Sequence, residues 1–447
     1  MVDCGLFQGN DAVRQGGNEI VDGDYLHFDL KGLPPIAALI VTHAHIDHIG
    51  RLPYLIAAGF NGSILCSQPT AKLLPLVIED ALKVGFTQNR SLIDRFLKRV
   101  NSLVIPLPYK KWYDIDEHVK VKLQPAGHIL GSSYVEIDVN EGKSGEKKRV
   151  VFSGDLGPPY TPILKTPVSP YRADWLVLES TYGDREHEKR AQRRRLLEDS
   201  LRKAVSDNGT VLIPAFSLGR TQELLYELNS IFSKFHRKGL SDPLGDLEVI
   251  VDSPLAAKFT DVYKDMEPFW DNEAQRKIRY GDHPLVFRQL RAIDDIRAHF
   301  AYVNERLKSS GPALVIAASG MCNGGRIMSY LKALISNPLT NIIFTGYQAD
   351  GTSGRIIQKY GPKKGYVTIE GKKYDINAEV KTLAGYSAHA DRSDLVNFVK
   401  RMRYRPERII LTHGERKGRD GLAQALFPLS YRRKDRDDDI TELEVSR

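Results

Sequence analysis

The stretch that decides the reading of this chain is Thr42-His43-Ala44-His45-Ile46-Asp47-His48. It follows an apolar run, residues 37–41, that reads as a buried strand, and it precedes a helical pattern starting near Leu52. Three imidazoles and a carboxylate within six residues are costly at a strand-to-helix turn unless they bind something. Neutral imidazole nitrogen and carboxylate oxygen are donors suited to zinc. His43 and His45 can point one way while Asp47 and His48 point to a neighbouring position, so one turn can serve two ions. A lone histidine would read as a satisfied polar residue; H-x-H-x-D-H does not.

Two ions need more ligands than this turn supplies. Further candidates end other apolar runs, each beside small residues that allow close approach: His128 in Ala126-Gly127-His128, Asp155 in Ser153-Gly154-Asp155, and His413 after the run 409–412. His27, His118, His187, His236, His283 and His299 show no partner pattern and read as surface or core residues.

Outward from these motifs, residues 1–180 alternate short β-rich runs (37–41, 119–123, 150–153, 175–179) with Gly/Pro punctuation, and carry a helical pattern between Thr70 and Val100. From about Arg185 to Lys381 the rhythm becomes strand–loop–helix, with apolar runs at 210–213, 247–251, 313–317 and 341–344. Repeated βα units predict a parallel sheet whose loops open together beyond the strands' carboxyl ends. Those loops are Pro214–Arg220, Asp252-Ser253-Pro254, Ser319–Arg326 and Gly346–Arg355. After Lys381 the first style returns. The tail 432–439 is charge-dense and is expected to fray.

The 447 residues exceed one typical domain. A net charge of +8 permits a polyanionic partner without proving one. The basic stretches 189–195 and 401–408, taken alone, read as solvated helix faces. Three cysteines, Cys4, Cys66 and Cys322, lack paired spacing, so no disulfide framework and a cytoplasmic setting are expected. No membrane span or leader is expected, because no apolar run is long enough and Met1–Gly5 lacks a charged and apolar start.

Taken in order, H-x-H-x-D-H, a lone His, Gly-Asp and a late His resemble the metallo-β-lactamase superfamily. Glu179-Ser180-Thr181-Tyr182-Gly183, Tyr386-Ser387-Ala388-His389-Ala390-Asp391 and Leu411-Thr412-His413-Gly414-Glu415 resemble motifs A, B and C of its β-CASP nucleases. The loops Gly-Met-x-x-Gly-Gly-Arg and Gly-Tyr-Gln-Ala-x-Gly-Thr are most similar to the group around the cleavage endonuclease subunit of pre-mRNA 3′-end processing and its bacterial and archaeal relatives.

The resemblance implies an α/β fold: an αββα sandwich holding two Zn²⁺ per chain, with an inserted β-CASP α/β domain of parallel sheet flanked by helices. Domain boundaries would fall at 1–183, 184–384 and 385–447. It implies His43, His45 and His128 on one zinc, Asp47, His48 and His413 on the other, Asp155 between them, and Asp3 behind the ligands as the acid that orients the turn. Asp47 counts among the catalytic residues as well. His389 would be the general acid, aligned by Glu179, in hydrolysis of single-stranded RNA to 5′-phosphate and 3′-hydroxyl ends.

His at motif C is the form associated with RNA rather than DNA. Expected substrate contacts are Arg220, Ser319, Gly320, Arg326, Tyr347, Arg355 and Ser387, with ordinary surface or capping arginines as the equal alternative for the three arginines. Endonucleolytic cleavage is the expected mode. A 5′-exoribonuclease, or an RNA-binding or complex-forming subunit with little catalysis, is the alternative. A homodimer or an RNA-processing complex is the expected setting. The family places a β-hairpin ahead of the Val2–Gly5 strand and adds RNA-binding KH modules in archaeal members; neither has a matching segment here, so modest RNA affinity is expected.

Overall fold

The computed structural model describes residues 1–6, 35–140, 147–187, 192–238, 242–308, 311–430 and 442–445. His27, the tail 432–439 and the start of the basic stretch 189–195 lie outside them. The chain divides into two units. Among the described residues, one holds those up to Glu186 and those from Ala388 onward; the other holds those within His187–Ser387.

In the first unit, β1 (Ala38–Ile40), β2 (Ser63–Ser67) and β3 (Val104–Leu107) form a parallel sheet. Val2 bridges to Ile40 at its edge. A second sheet runs β18-β17-β8-β7-β6-β5-β4 among the described residues. Its members are β4 (Trp112–Asp114), β5 (Val119–Pro125), β6 (Ser133–Asn140), β7 (Lys147–Phe152), β8 (Trp175–Glu179), β17 (Arg408–Thr412) and β18 (Glu442–Val445). Strands β4 to β7 are antiparallel neighbours, while β7, β8, β17 and β18 run parallel.

The seven-stranded sheet is covered on both faces, so its central strands carry apolar residues toward two cores. Ala38, Ile40, Leu65 and Leu107 of the first sheet pack on Val121, Leu123 and Val135 of the second. The other face of the second sheet, with Leu176, Leu178, Ile409 and Leu411, packs on Leu395, Phe398, Leu422 and Leu426 from helices Arg392–Lys400 and Arg416–Ser430. Helix Gln68–Gly85 lies on β2 and β3. The layers are therefore helix, sheet, sheet and helix, as expected from the sequence. The single helical pattern expected across 70–100 resolves into Gln68–Gly85 and Arg90–Leu103, the second capped by Asn89, whose side chain accepts the Leu92 N–H.

The second unit is built on a six-stranded parallel sheet: β9 (Thr210–Pro214), β10 (Glu248–Asp252), β11 (Leu290–Ala292), β12 (Ala313–Ala317), β13 (Thr340–Phe344) and β16 (Glu379–Thr382), in the order β11-β10-β12-β9-β13-β16. The four inner strands are the expected apolar runs. They are almost wholly buried because helices cover both faces of a parallel sheet. The edge strands β11 and β16 were not expected: half-exposed, they carry too little apolar pattern. Strands β14 (Tyr366–Ile369) and β15 (Lys372–Asp375) form a separate hairpin.

Candidate metal centre

Why the His turn sits where it does follows from Asp3 and Gly5. Asp3 adopts φ +54° and turns its carboxylate onto the turn. The Thr42 N–H donates to Asp3 Oδ1 at 2.8 Å and the Thr42 hydroxyl to Oδ2 at 2.8 Å. His48 Nδ1 lies 2.7 Å from the same Oδ2. At Gly5 a Cβ would come within 1.4 Å of the Asp47 carbonyl oxygen, so only glycine lets this segment lie against the turn.

The expected alternation is present. His43, His45, His128 and Asp155 bring one donor atom each within 4.8 Å of one another, and Asp47, His48 and His413 form a second such group. Asp155 faces both. Its Oδ2 lies 3.5 Å from His43 Nε2 and from His128 Nε2; its Oδ1 lies 3.3 Å from His48 Nε2 and 3.5 Å from His413 Nε2. The loops bearing His128 and Asp155 are pressed together: a Cβ on Gly157 would meet the Gly127 carbonyl at 1.7 Å.

In three of these rings the far nitrogen is engaged by a group that fixes the imidazole, as metal-ligating histidines require. His43 Nδ1 lies 3.0 Å from the Thr42 hydroxyl, His128 Nδ1 lies 3.0 Å from the Ala388 carbonyl oxygen, and His413 Nδ1 lies 3.0 Å from the Thr181 hydroxyl. Thr42, Thr181 and the Ala388 carbonyl were not singled out in the sequence. Each sits next to a motif residue, which was the only available signal.

Electrostatics separate the two groups. Burial holds His43, His45 and His128 below the ordinary histidine range, against partial compensation by Asp155, so their rings stay neutral. Burial also disfavours charge on His48 and His413, but Asp155 outweighs it, aided by Asp3 at His48 and Asp47 at His413. His48 is raised well above the usual value and His413 to about 9. Burial likewise opposes ionisation of Asp155, yet His413, His48 and His43 hold it far below the usual carboxylate range.

The donor set fits a divalent-metal site. Two buried atoms, His48 Nε2 and Asp155 Oδ1, face each other at 3.3 Å and make no hydrogen bond among the described residues. They meet only as an ion pair, and a divalent cation would take the same nitrogen and oxygen as ligands with the ring neutral.

Beside the group lies His389, with Nδ1 at 3.2 and 3.3 Å from the two oxygens of Glu179 and 4.0 Å from Asp155 Oδ2. Glu179 ends β8 and is itself fixed: its Oε1 accepts the Leu156 N–H at 2.7 Å, and its own N–H donates to Ser153 Oγ at 2.9 Å. Burial works against a charged His389, but Glu179 more than offsets it and the pKa is raised.

The expected substrate contacts lie elsewhere, in the second unit, and they divide. Ser319, Tyr347 and Arg355 are half-exposed on the loops after β12 and β13, at the carboxyl edge of the parallel sheet. These loops are knitted together: Gln348 Nε2 donates to the Gly320 carbonyl at 2.9 Å, and the Ser353 N–H to Asn323 Oδ1 at 3.2 Å. Gly320 is buried against Phe216, where a Cβ would come within 2.9 Å. Ser387 is buried.

Arg220 and Arg326 are held in ion pairs, the arrangement of the structural arginines given as the equal alternative. Arg220 is buried in an ion pair with Glu223, three residues on. Arg326 donates to Asp252 Oδ1 at 2.5 Å and to the carbonyls of Ile293 and Asp294 at 2.8 and 2.9 Å. Asp252 also accepts from the Tyr330 hydroxyl at 2.5 Å, and His299 Nδ1 lies 2.6 Å from the same oxygen. His299, read as partnerless in the sequence, is thus part of a buried network that ties the Ser319–Arg326 loop to β10.

Comparison with known proteins agrees with this architecture. Residues 1–215 match the metallo-beta-lactamase superfamily, 221–357 the Beta-Casp domain, and 373–432 a Zn-dependent metallo-hydrolase RNA specificity domain. A protein named as a ribonuclease from Thermus thermophilus is 33% identical over 415 residues, covering 93% of this chain and 87% of the relative. Proteins named transcription termination factor FttA are 31% identical in Methanosarcina mazei and in Methanocaldococcus jannaschii, covering 96% and 93% of this chain. The chain spans only 65% and 63% of those two archaeal factors. From this similarity, and from an inserted parallel sheet between the two halves of a layered sandwich, the chain belongs to the β-CASP family of the metallo-β-lactamase superfamily.

Proposed function

We propose that the protein is a zinc-dependent ribonuclease that hydrolyses single-stranded RNA endonucleolytically, leaving 5′-phosphate and 3′-hydroxyl ends. One observation carries the proposal: Asp155 offers one oxygen to each of two donor groups, and His389, backed by Glu179, stands beside the pair. His43, His45 and His128 would hold one ion and Asp47, His48 and His413 the other. When bound, two such ions supply Lewis acidity toward a phosphate oxygen and an acidified water at neutral pH.

The chain's own residues do the rest. Asp3 and Thr42 keep the His turn in register. Asp47, the more exposed of the two ligand carboxylates, is placed to orient a water. Glu179 favours the charged form of His389, which would deliver a proton to a departing 3′ oxygen. RNA as substrate is supported by the names of the relatives and by the RNA specificity domain matched at 373–432. We take residues 184–384 as the inserted domain, a reading supported by the division of the chain near Glu186 and Ser387. The half-exposed loop residues Ser319, Tyr347 and Arg355 remain its proposed RNA contacts. A cytoplasmic location is supported by Cys4, Cys66 and Cys322, all buried as free thiols.

Metal analysis combined with cleavage of RNA labelled at either end tests the proposal in wild type and Asp155→Ala. Two zinc ions with internal cuts, both lost in Asp155→Ala, are expected. Full zinc loading without cleavage of any single-stranded RNA would sink the enzyme reading and favour an RNA-binding subunit. Release of mononucleotides from the 5′ end alone would make it an exonuclease.

A further inference from the structure

At the other end of the seven-stranded sheet, the fold leaves aromatic rings in water. Tyr171 is 64% exposed, Trp175 44% and Tyr404 41%. The backbone holds the two tyrosines together: the N–H groups of Arg403 and Tyr404 both donate to the Tyr171 carbonyl, at 3.0 and 3.2 Å. Arg172 and Tyr404 form a parallel bridge. The rings meet edge-on, with centroids 5.6 Å apart at 71°. Two large rings, held edge to face and each partly open to water, offer exposed aromatic surface on which bases can stack.

Arginines surround them. Residues 401–408 read Arg-Met-Arg-Tyr-Arg-Pro-Glu-Arg. Arg401 and Arg403 are exposed, and among the described residues neither has a carboxylate partner. The nearby acids are already engaged. Glu407 lies 3.5 Å from Lys148, the Asp174 carboxylate accepts the Arg149 N–H, and Glu444 pairs with Arg408. Arg408 also lies over the Trp175 ring at 5.6 Å. An acidic protein surface would satisfy the free arginines without needing two open ring faces. A nucleic-acid single strand uses both, with bases on the rings and phosphates on the cations.

We infer that the Tyr171–Tyr404 ledge, with Arg401 and Arg403, is a second binding site for single-stranded RNA, an inference that rests on the proposed ribonuclease reading. Strands β8 and β17 run parallel, with the ledge at their starts and Glu179 and His413 at or just beyond their ends. The ledge residues lie four positions ahead of those strands, so at about 3.3 Å per residue the two sites lie up to roughly 25–30 Å apart along the sheet. The ledge therefore acts on binding of long chains and not on the cleavage step.

The test compares unstructured RNAs of about 6 and about 40 nucleotides on the zinc-loaded full chain. Tyr171→Ala/Tyr404→Ala should raise Kd and KM for the long RNA roughly tenfold, leaving kcat and cleavage of the short RNA unchanged. Tyr171→Phe/Tyr404→Phe should restore wild-type affinity, because the rings remain. Arg401→Ser/Arg403→Ser should flatten the salt dependence of long-RNA binding, lowering the log–log slope by about 1.4.

Unchanged long-RNA affinity in both the alanine and serine variants overturns the inference. So does an equal loss on both RNA lengths, which would mark damage to the fold or the metal centre. A change in mass by light scattering with unaltered RNA binding would make the ledge a protein interface and overturns it as well. If the wild type binds long RNA through the ledge but cuts none, the ribonuclease proposal fails while the ledge stands.

Discussion

His389 lies near two carboxylates with different roles: Glu179, which touches its Nδ1, and Asp155, whose two oxygens face the two ligand groups. The same ring lies within ligand distance of Asp155 and His413, so geometry alone admits it as a donor. The two roles separate on substitution. As a general acid, His389→Ala should lower turnover by about 10² to 10⁴ with zinc content unchanged, and imidazole in the buffer should restore part of it. Loss of zinc in a metal assay would reassign it as a ligand.

Asp3 is tested differently, because it touches no donor atom that would face an ion. Asp3→Ala removes the acceptor for the Thr42 N–H and hydroxyl and the partner of His48 Nδ1. Zinc affinity should fall about 10- to 100-fold by competition with a chromogenic chelator, with stability lower by about 1–3 kcal/mol. An unchanged affinity would make Asp3 a fold residue only. The seven donors were legible because charged and imidazole groups at strand ends have few other uses. The residues behind them were less so: Thr181 meets His413 from 232 positions away, a proximity no spacing encodes.

At the scale of elements, inner strands were read correctly from their apolar runs, and edge strands were missed for want of one. The ion pairs of Arg220 and Arg326 escaped the sequence for a related reason. A residue beside glycines at a loop reads as exposed, whereas Arg326 finds a buried carboxylate 74 positions away. Asp391, the last residue of motif B, is explained by the helix it starts. It adopts an extended conformation, and its side chain accepts the Asp394 N–H at 3.0 Å, capping Arg392–Lys400. Asp391→Ala should therefore cost about 1 kcal/mol, read as a lower denaturant midpoint, with zinc content and cleavage of folded protein retained. A loss of zinc at full folding would give Asp391 a role at the metal centre.

For the whole molecule, the two units hold separate cores, one around Leu176 and Leu411 and the other around Val315 and Ile342. All seven proposed ligands belong to the first. Metal binding stabilises only the state that contains the site, by an amount set by ion concentration over Kd. Calorimetry of the zinc-loaded protein and of the chelated protein should show one transition shifted down by removal of metal and a second left in place. A single transition moving as one would show the units to be energetically fused.

The division of the first unit across the sequence has a consequence for synthesis. Glu179 and His389 are 210 residues apart, and β17, which pairs with β8, comes later still. At roughly 5–20 residues per second, a translating ribosome takes on the order of 10 to 40 seconds to bridge that gap. During the interval β8 has made its bonds to β7 but presents an open edge on its other side. The inserted unit, contiguous from His187 to Ser387, can fold while it is being made. The nascent chain thus carries a finished inner domain and a half-built outer one, and that open strand edge is where a chaperone would be needed.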